Sequence, residues 1–430
     1  MTDLTNELLP RLRSYRLPEL DLPKEFIHPN YTGQSILNIP NSICRILGAP
    51  PKTDIPTLIP EILEPVREGI DKVLLILMDA LALHRFRAWI QNEPDSVWHG
   101  LIQDGLLAPL TSITPSTTSA ALTSYWTATA PRSHGIVGYE TWLKEYGVVA
   151  NTILHSPITF KSGGAGLLKN AGFSPETFLP VEPIGPHLAA HGVEAHAFQH
   201  YSIIHSGLSQ MFFDDVEKHG TSTAADMWVS VRQLWEQTTG EKLFTWVYWP
   251  EVDGLSHLYG PDDERIKAEF HAFSSAFERL FLQKLTSTQK QNTLVILTAD
   301  HGQVTTNKLD DHYDLRNHPD LTRRLHILPT GENRLAFLYI KPGQMEAVRE
   351  YIERTWPNQF ALLDPAYALE KGLFGPGEKH PGIYDRTGDL VALARGKAFW
   401  WWGAKPNPII GRHGGMAEEE MIVPFLASRL

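Results

Sequence analysis

The chain has 430 residues, 42% apolar and 20% charged, with 49 acidic against 38 basic side chains and a formal net charge of −11. An aromatic content of 10% supplies ample core material and excludes disorder as the main state. The negative balance argues against a dominant nucleic-acid-binding surface, because a polyanion is repelled unless a local basic stripe outweighs the net charge.

The start, Met1-Thr2-Asp3-Leu4-Thr5-Asn6-Glu7, lacks the basic residues and apolar run of a secretory signal. Residues 1–60 are rich in proline and read as an arm packed on the core, with a short helix near Ser42–Leu47. The single cysteine, Cys44, allows neither an internal disulfide nor a cysteine-built metal centre. The most apolar stretch, Val73–Met78, is too short to cross a bilayer. A cytoplasmic protein away from membranes is expected.

Residues 61–430 read as one α/β domain with a central, largely parallel sheet flanked by helices. The run Lys72–Met78 has the continuous apolar character of a strand buried on both faces. Strands of the same kind are expected at Leu243–Trp249, Thr293–Thr298, Leu335–Ile340 and Leu390–Ala394. Between them, Ala224, Met227, Trp228, Val231, Leu234 and Trp235 follow helical spacing, with Gly240 as a stop. Phe270, Phe273, Phe277, Leu280 and Phe281 mark a second long helix.

In open α/β sheets, sites form beyond the carboxyl ends of the strands. Three predicted strands lead there into an acidic residue: Asp79, Asp253 and Asp300. One such aspartate is commonly a turn former or helix cap. Three together, two with a histidine at ligand spacing, point to a metal centre. Asp253 and His257 stand four residues apart and would share a helix face. In Asp300-His301-Gly302 the two ligand candidates can converge only if the strand breaks into a turn, which Gly302 permits. His413 sits in Gly411-Arg412-His413-Gly414-Gly415, where glycines allow close backbone approach. Aspartate and histidine without cysteine suit zinc or manganese. Five or six such ligands exceed one tetrahedral site and suggest two ions sharing a pocket, the usual clamp for displacement at phosphorus.

Pro115-Ser116-Thr117-Thr118-Ser119-Ala120-Ala121 runs from a proline turn into a helical start. Hydroxyls at a helix N-terminus meet free backbone N–H groups that favour anions. Ser116, Thr117 and Thr118 are each N-cap candidates, and each is a nucleophile candidate beside a metal.

These motifs, with Pro131-Arg132-Ser133-His134-Gly135-Ile136-Val137-Gly138, occur in an order that resembles the alkaline phosphatase superfamily. They look most like its type I phosphodiesterase/nucleotide pyrophosphatase branch, over residues 72–420. The resemblance implies an alkaline-phosphatase-like core with a cap insertion, and a hydrolase of small phosphate esters working through a phosphothreonine. It places Asp253, His257 and His413 on one zinc, and Asp79, Asp300, His301 and the nucleophile oxygen on a second. Counting back from His134 puts that nucleophile on Thr118, with Thr117 next and Ser116 after it.

Two positions depart from the family pattern. Ser119 follows Thr118 where nucleotide-cleaving relatives commonly have an aromatic residue. Tyr139 stands where they have an asparagine, and is given the role of contacting a substrate oxygen. His134 reads as structural. A cap is expected within 305–410, including Gly375–His380 and the run Phe399-Trp400-Trp401-Trp402, where the tryptophans either take an apolar leaving group or alternate between core and a subunit contact. Lys161 and Lys169, near Gly163, Gly164 and Gly166, are candidate contacts for substrate charge, outside the site proper. Phosphomonoester or phosphonate hydrolysis would need the same metals, and a catalytically inactive metal-stabilised scaffold is the alternative of another class. Sulfatase chemistry is disfavoured, since Cys44-Arg45-Ile46 lacks the Cys/Ser-x-Pro-x-Arg pattern.

Overall fold

A computed structural model describes residues 2–91, 93, 95–158, 165–238 and 242–430. Its main sheet has eight strands: β1 (Thr2–Asp3), β2 (Lys72–Met78), β3 (Leu106–Thr111), β4 (Val193–His200), β5 (Glu217–Thr221), β6 (Lys242–Trp249), β7 (Thr293–Thr298) and β8 (Ile422–Arg429). Their spatial order is β1-β3-β8-β7-β2-β6-β4-β5. All neighbours pair in parallel except β8, which runs antiparallel to β3 and β7. Every residue of β2 and β7 is buried, as their unbroken apolar runs require.

Register sets up the site. Met78 of β2 pairs with Trp249 of β6, and Thr298 of β7 pairs with Leu77 of β2. The three carboxyl ends are therefore level, and the residues that follow them open onto one edge.

Helix α1 (Thr118–Thr127) is buried along its whole length. It tolerates its hydroxyl content because Thr123 and Thr127 each donate to the carbonyl four residues earlier, at 2.7 Å. Helix α2 (Ala224–Gln237) buries Met227, Trp228, Val231 and Trp235, as its periodicity predicts; Gly240 lies outside the described residues. Helix α3 (Glu251–Tyr259) follows β6, and α4 (Glu264–Phe277) passes into a π-helical turn at Glu278–Leu282. The α4 phenylalanines pack against Trp98 and Trp228.

Two expected strands belong elsewhere. Leu335–Leu338 and Leu390–Ala394 pair antiparallel in a second, seven-stranded sheet with Phe360–Leu363, Thr330–Glu332, Glu140–Leu143, Val148–Asn151 and Ser156–Pro157. An apolar run reports burial on both faces, and this sheet is covered on both too: Phe337 and Val391 join the main core while Leu338 and Leu390 join a second one.

The amino-terminal segment contributes Leu8, Leu12, Phe26, Ile36 and Ile43 to the main core. Its helix is Ile39–Ile46, close to the expected place, and a second helix at Thr5–Ser14 escaped the sequence reading. That helix contains Pro10 and lacks a side-chain N-cap, so the usual start signal is missing. Cys44 is buried, and burial pushes its thiol up to about 12. No helix among the described residues is long and apolar enough to cross a membrane.

Candidate active site

The three acidic strand ends converge. Asp79 follows β2, Asp300 follows β7, and Asp253 lies on α3 beyond β6. On that helix Asp253 and His257 share a face as their spacing predicts, with His257 Nε2 3.3 Å from Asp253 Oδ2. Asp300-His301-Gly302 breaks from the strand into a loop. Gly302 is required there for space rather than for an unusual backbone angle. A Cβ on it would stand 2.1 Å from the Glu419 carbonyl oxygen.

Seven groups fall into two adjoining sets. In one, His301 Nε2 lies 3.5 Å from Asp79 Oδ1, 3.4 Å from Asp300 Oδ2 and 3.1 Å from Thr118 Oγ1. In the other, Asp253 lies 3.3 Å from His257 and 3.8 Å from His413. The His301 and His413 rings stack at 3.9 Å, joining the sets. Donors about 2.0–2.2 Å from one ion in tetrahedral array would stand about 3.3–3.6 Å apart, close to most of these separations.

The unused atoms fit a cation. Asp300 Oδ1 accepts from Ala80 N–H and His301 N–H, while its buried Oδ2 has no hydrogen-bond partner. Asp79 Oδ2 accepts from the Tyr248 and Thr118 hydroxyls, while its buried Oδ1 has none. All three histidines turn Nδ1 to a backbone carbonyl: His257 to Gly411 at 2.7 Å, His301 to Gly302 and His413 to Ser116, both at 3.1 Å. Each Nδ1–H donating there leaves Nε2 as a lone pair aimed into the site.

Electrostatics say the same. Burial, then repulsion from Asp300 and Asp253, holds the Asp79 carboxyl well above the usual range. Burial and the neighbouring His301 hold His413 well below its ordinary value, so its imidazole is neutral. Burial opposes the charge on His257, but attraction to Asp253 outweighs it and raises that group. Buried carboxylates gathered this closely call for positive charge.

The three hydroxyl candidates point in different directions. Ser116 Oγ donates to the Gly415 carbonyl at 2.7 Å, and Thr117 Oγ1 donates to Glu332 at 2.6 Å. Thr118 Oγ1 faces Asp79 and His301.

A cavity of about 440 Å³ opens on these groups, lined by Thr118, Tyr139, Asp253, His257 and His413. Its far wall brings in residues that the sequence reading passed over: Glu140, Glu332, Asn333 and Arg412. Glu332 accepts from Thr117 and from Tyr139 N–H, and burial pushes its carboxyl up to about 7. Glu140 accepts from Trp402 Nε1 at 2.7 Å, and burial raises it to about 7 as well. Adjacency to Tyr139 and His413 was the only signal for Glu140 and Arg412. Glu332 had none, since a glutamate at the end of a short strand is ordinary.

Trp401 and Trp402 line this cavity while Trp400 packs on Phe360 in the second core. Gly375–His380 does not reach it. That stretch lies against Arg132 and Ser133, through His380 N–H to the Arg132 carbonyl and Ser133 Oγ to the Glu378 carbonyl. His134 is fully buried with Nε2 3.0 Å from Ser124 Oγ, a packing role. Ser119 donates to the Gly138 carbonyl. Lys169 bonds Gln210 at the surface, and Lys161, Gly163 and Gly164 lie outside the described residues. A larger cavity of about 860 Å³ beneath the amino-terminal segment is lined by none of the candidate residues.

Residues 73–416 match the family model for type I phosphodiesterase / nucleotide pyrophosphatase. The chain belongs to that family. A type I phosphodiesterase/nucleotide pyrophosphatase-family chain is an enzyme of the phosphoric ester hydrolase class, within the alkaline phosphatase superfamily. No curated protein matches it. Among solved structures, murine ectonucleotide pyrophosphatase/phosphodiesterase 5 is 17% identical, with 82% of this chain and 87% of that one covered at a TM-score of 0.59. Its human counterpart is 15% identical, covering 83% and 87%, also at 0.59. Phosphonoacetate hydrolase from Sinorhizobium meliloti 1021 is 15% identical, covering 83% and 89%, at 0.58. At such identities the likeness is one of fold.

Proposed function

We propose that this family member cleaves phosphate esters of the diester or nucleotide-pyrophosphate type by double displacement, with Thr118 as nucleophile. The observation that carries the reading is the Thr118 hydroxyl, which alone of the three candidates is turned toward Asp79 and His301. Asp253, His257 and His413 would hold one divalent cation, and Asp79, Asp300, His301 and Thr118 another, with zinc the first choice and manganese the alternative. Bound there, the pair supplies charge for the attacking and departing oxygens.

The chain's own groups do the rest. Asp79 Oδ2, 3.4 Å from Thr118 Oγ1, faces the hydroxyl proton. The threonine oxygen attacks phosphorus, the bond to the leaving oxygen breaks, and a phosphothreonine forms. Water then attacks phosphorus and returns the hydroxyl. The first-turn N–H groups of α1, which have no side-chain cap, face the non-bridging oxygens. Tyr139 contacts a substrate oxygen, and Trp401 and Trp402 receive an apolar leaving group. In domain terms, residues 1–60 are an arm, 61–430 carry the chemistry, and the cap within 305–410 supplies the tryptophan wall. The cytoplasmic setting belongs to this proposal too.

A murine structural neighbour is described as inactive when a threonine is replaced by alanine, in complex with AMP, which supports a threonine in this role. One observation favours a second reading. Arg412 is buried on the cavity wall, and no carboxylate among the described residues lies within ion-pair distance of it; its side chain bonds Asn333 and Asn407 and stacks on Phe399. An unpaired buried cation there suits a substrate with a second negative charge, such as the phosphonoacetate seen with the bacterial neighbour.

The test compares bis-p-nitrophenyl phosphate, p-nitrophenyl phosphate, a thymidine 5′-nitrophenyl ester and phosphonoacetate, each with zinc or manganese. Preference for the diesters supports the first reading, and preference for phosphonoacetate the second. Bound metal with no turnover of any of them would leave a scaffold.

A further inference from the structure

A separate histidine pair stands at the edge of the main sheet, on the last two strands. β5 is the edge strand and pairs in parallel with β4, with His196 opposite Glu217 and Phe198 opposite His219. Residues two apart on a strand, and their aligned partners on the next, share a face. Two Glu-x-His pairs, Glu194/His196 and Glu217/His219, therefore project from the same side.

Three donor groups converge. His196 Nδ1 lies 3.0 Å from His219 Nε2. The Glu217 carboxylate lies 3.6 Å from His196 Nδ1 through one oxygen and 3.8 Å from His219 Nε2 through the other. A shared imidazole proton accounts for the first distance but leaves the carboxylate beyond hydrogen-bond reach of both rings. Three donors around one tetrahedral zinc stand about 3.3–3.6 Å apart; the histidine pair and the nearer Glu217 oxygen come within a few tenths of an ångström of that spacing, and one ligand atom from each of the three residues lies within 4.8 Å of the others.

The surroundings prepare the nitrogens for this. Glu194 lies 3.8 Å from His196 Nε2, the nitrogen directed away from the convergence, so its negative charge stands on the side of the ring opposite Nδ1. The His219 ring stacks on Phe198 at 4.2 Å and 7°, which fixes its plane. None of these residues lines the candidate catalytic cavity.

We propose that His196 Nδ1, His219 Nε2 and Glu217 bind a zinc-class divalent cation, with water in the fourth position, and that this ion ties the edge strand β5 to β4. An edge strand has hydrogen-bonded support on one side only, so a cross-strand metal is an effective second tether.

The full-length chain, stripped with chelator and titrated with zinc alone, tests this by metal count and by zinc-induced change in melting temperature. An Asp79→Asn/His413→Gln variant reports the edge site with the catalytic set disabled, and is expected to retain one equivalent. Adding His219→Gln to it should remove that equivalent and the zinc-induced rise in melting temperature. His219→Gln alone should bind one zinc fewer than wild type while keeping turnover within twofold. Equal zinc counts with and without His219→Gln would overturn the proposal, whatever the catalytic site binds. Glu217→Gln, at an exposed position, serves if His219→Gln fails to fold: a tenfold or greater weakening supports the site, and unchanged affinity rejects it.

Discussion

Thr118 Oγ1 and His301 Nε2 lie 3.1 Å apart although 183 residues separate them in the chain. One begins a helix and the other lies in the loop that follows a strand, so the contact exists only because β3 and β7 both deliver the chain to the same edge of the sheet. Thr118→Ala is expected to lower kcat on a diester by about 10³-fold or more, with bound metal nearly unchanged, because six ligands remain. Thr118→Ser keeps an oxygen and should recover part of the rate. Single-turnover kinetics with metal analysis checks both, and wild-type rates in the alanine variant would move the nucleophile elsewhere.

Asp79 is held above its ordinary range by burial and by two neighbouring carboxylates, so a cation at this place stabilises the fold. Chelation should therefore lower wild-type stability at pH 7, by about 4 kcal/mol where the ion had been present at a thousandfold excess over its Kd. Metal-free Asp79→Asn should be more stable than metal-free wild type at that pH, since it removes one of the repelling charges. Urea unfolding with and without chelator measures both differences.

Glu332 gives a pH dependence of known sign. Its carboxyl is raised from 4.5 to about 7, so between those values the unfolded chain has lost a proton that the folded chain still holds. Metal-free stability should thus fall as pH rises from 4.5 to 7 and level off above, by up to about 3 kcal/mol from this group. Glu332→Gln should remove this group's share of the slope in pH-dependent urea unfolding and leave the share of Glu140, which burial also raises to about 7. Because Glu332 also fixes Thr117 and Tyr139, Glu332→Ala should lower turnover more than the glutamine variant does.

Trp401 lines the cavity and is not itself one of the proposed ligands. Trp401→Ala should raise KM for an aryl diester about tenfold, the loss of about 1.4 kcal/mol of aromatic contact, with kcat changed far less. Steady-state kinetics separates the two, and an equal fall in kcat would mean that the tryptophan shapes the reacting centre instead.

The parallel core and the candidate ligands were legible in the order of residues alone. Uninterrupted apolar runs dictate burial on both faces, and strands so buried end abruptly in polar residues, which is why Asp79, Asp253 and Asp300 stood out. Helical spacing likewise put Asp253 and His257 on one face before any coordinates. Which sheet Leu335–Leu338 and Leu390–Ala394 join was settled by long-range packing, because burial looks alike in parallel and antiparallel settings. The same packing separated three consecutive hydroxyls by their partners, and brought Glu332 and Arg412 to the cavity wall. Those outcomes rest on contacts between segments far apart in the chain, which no local pattern of residue types encodes.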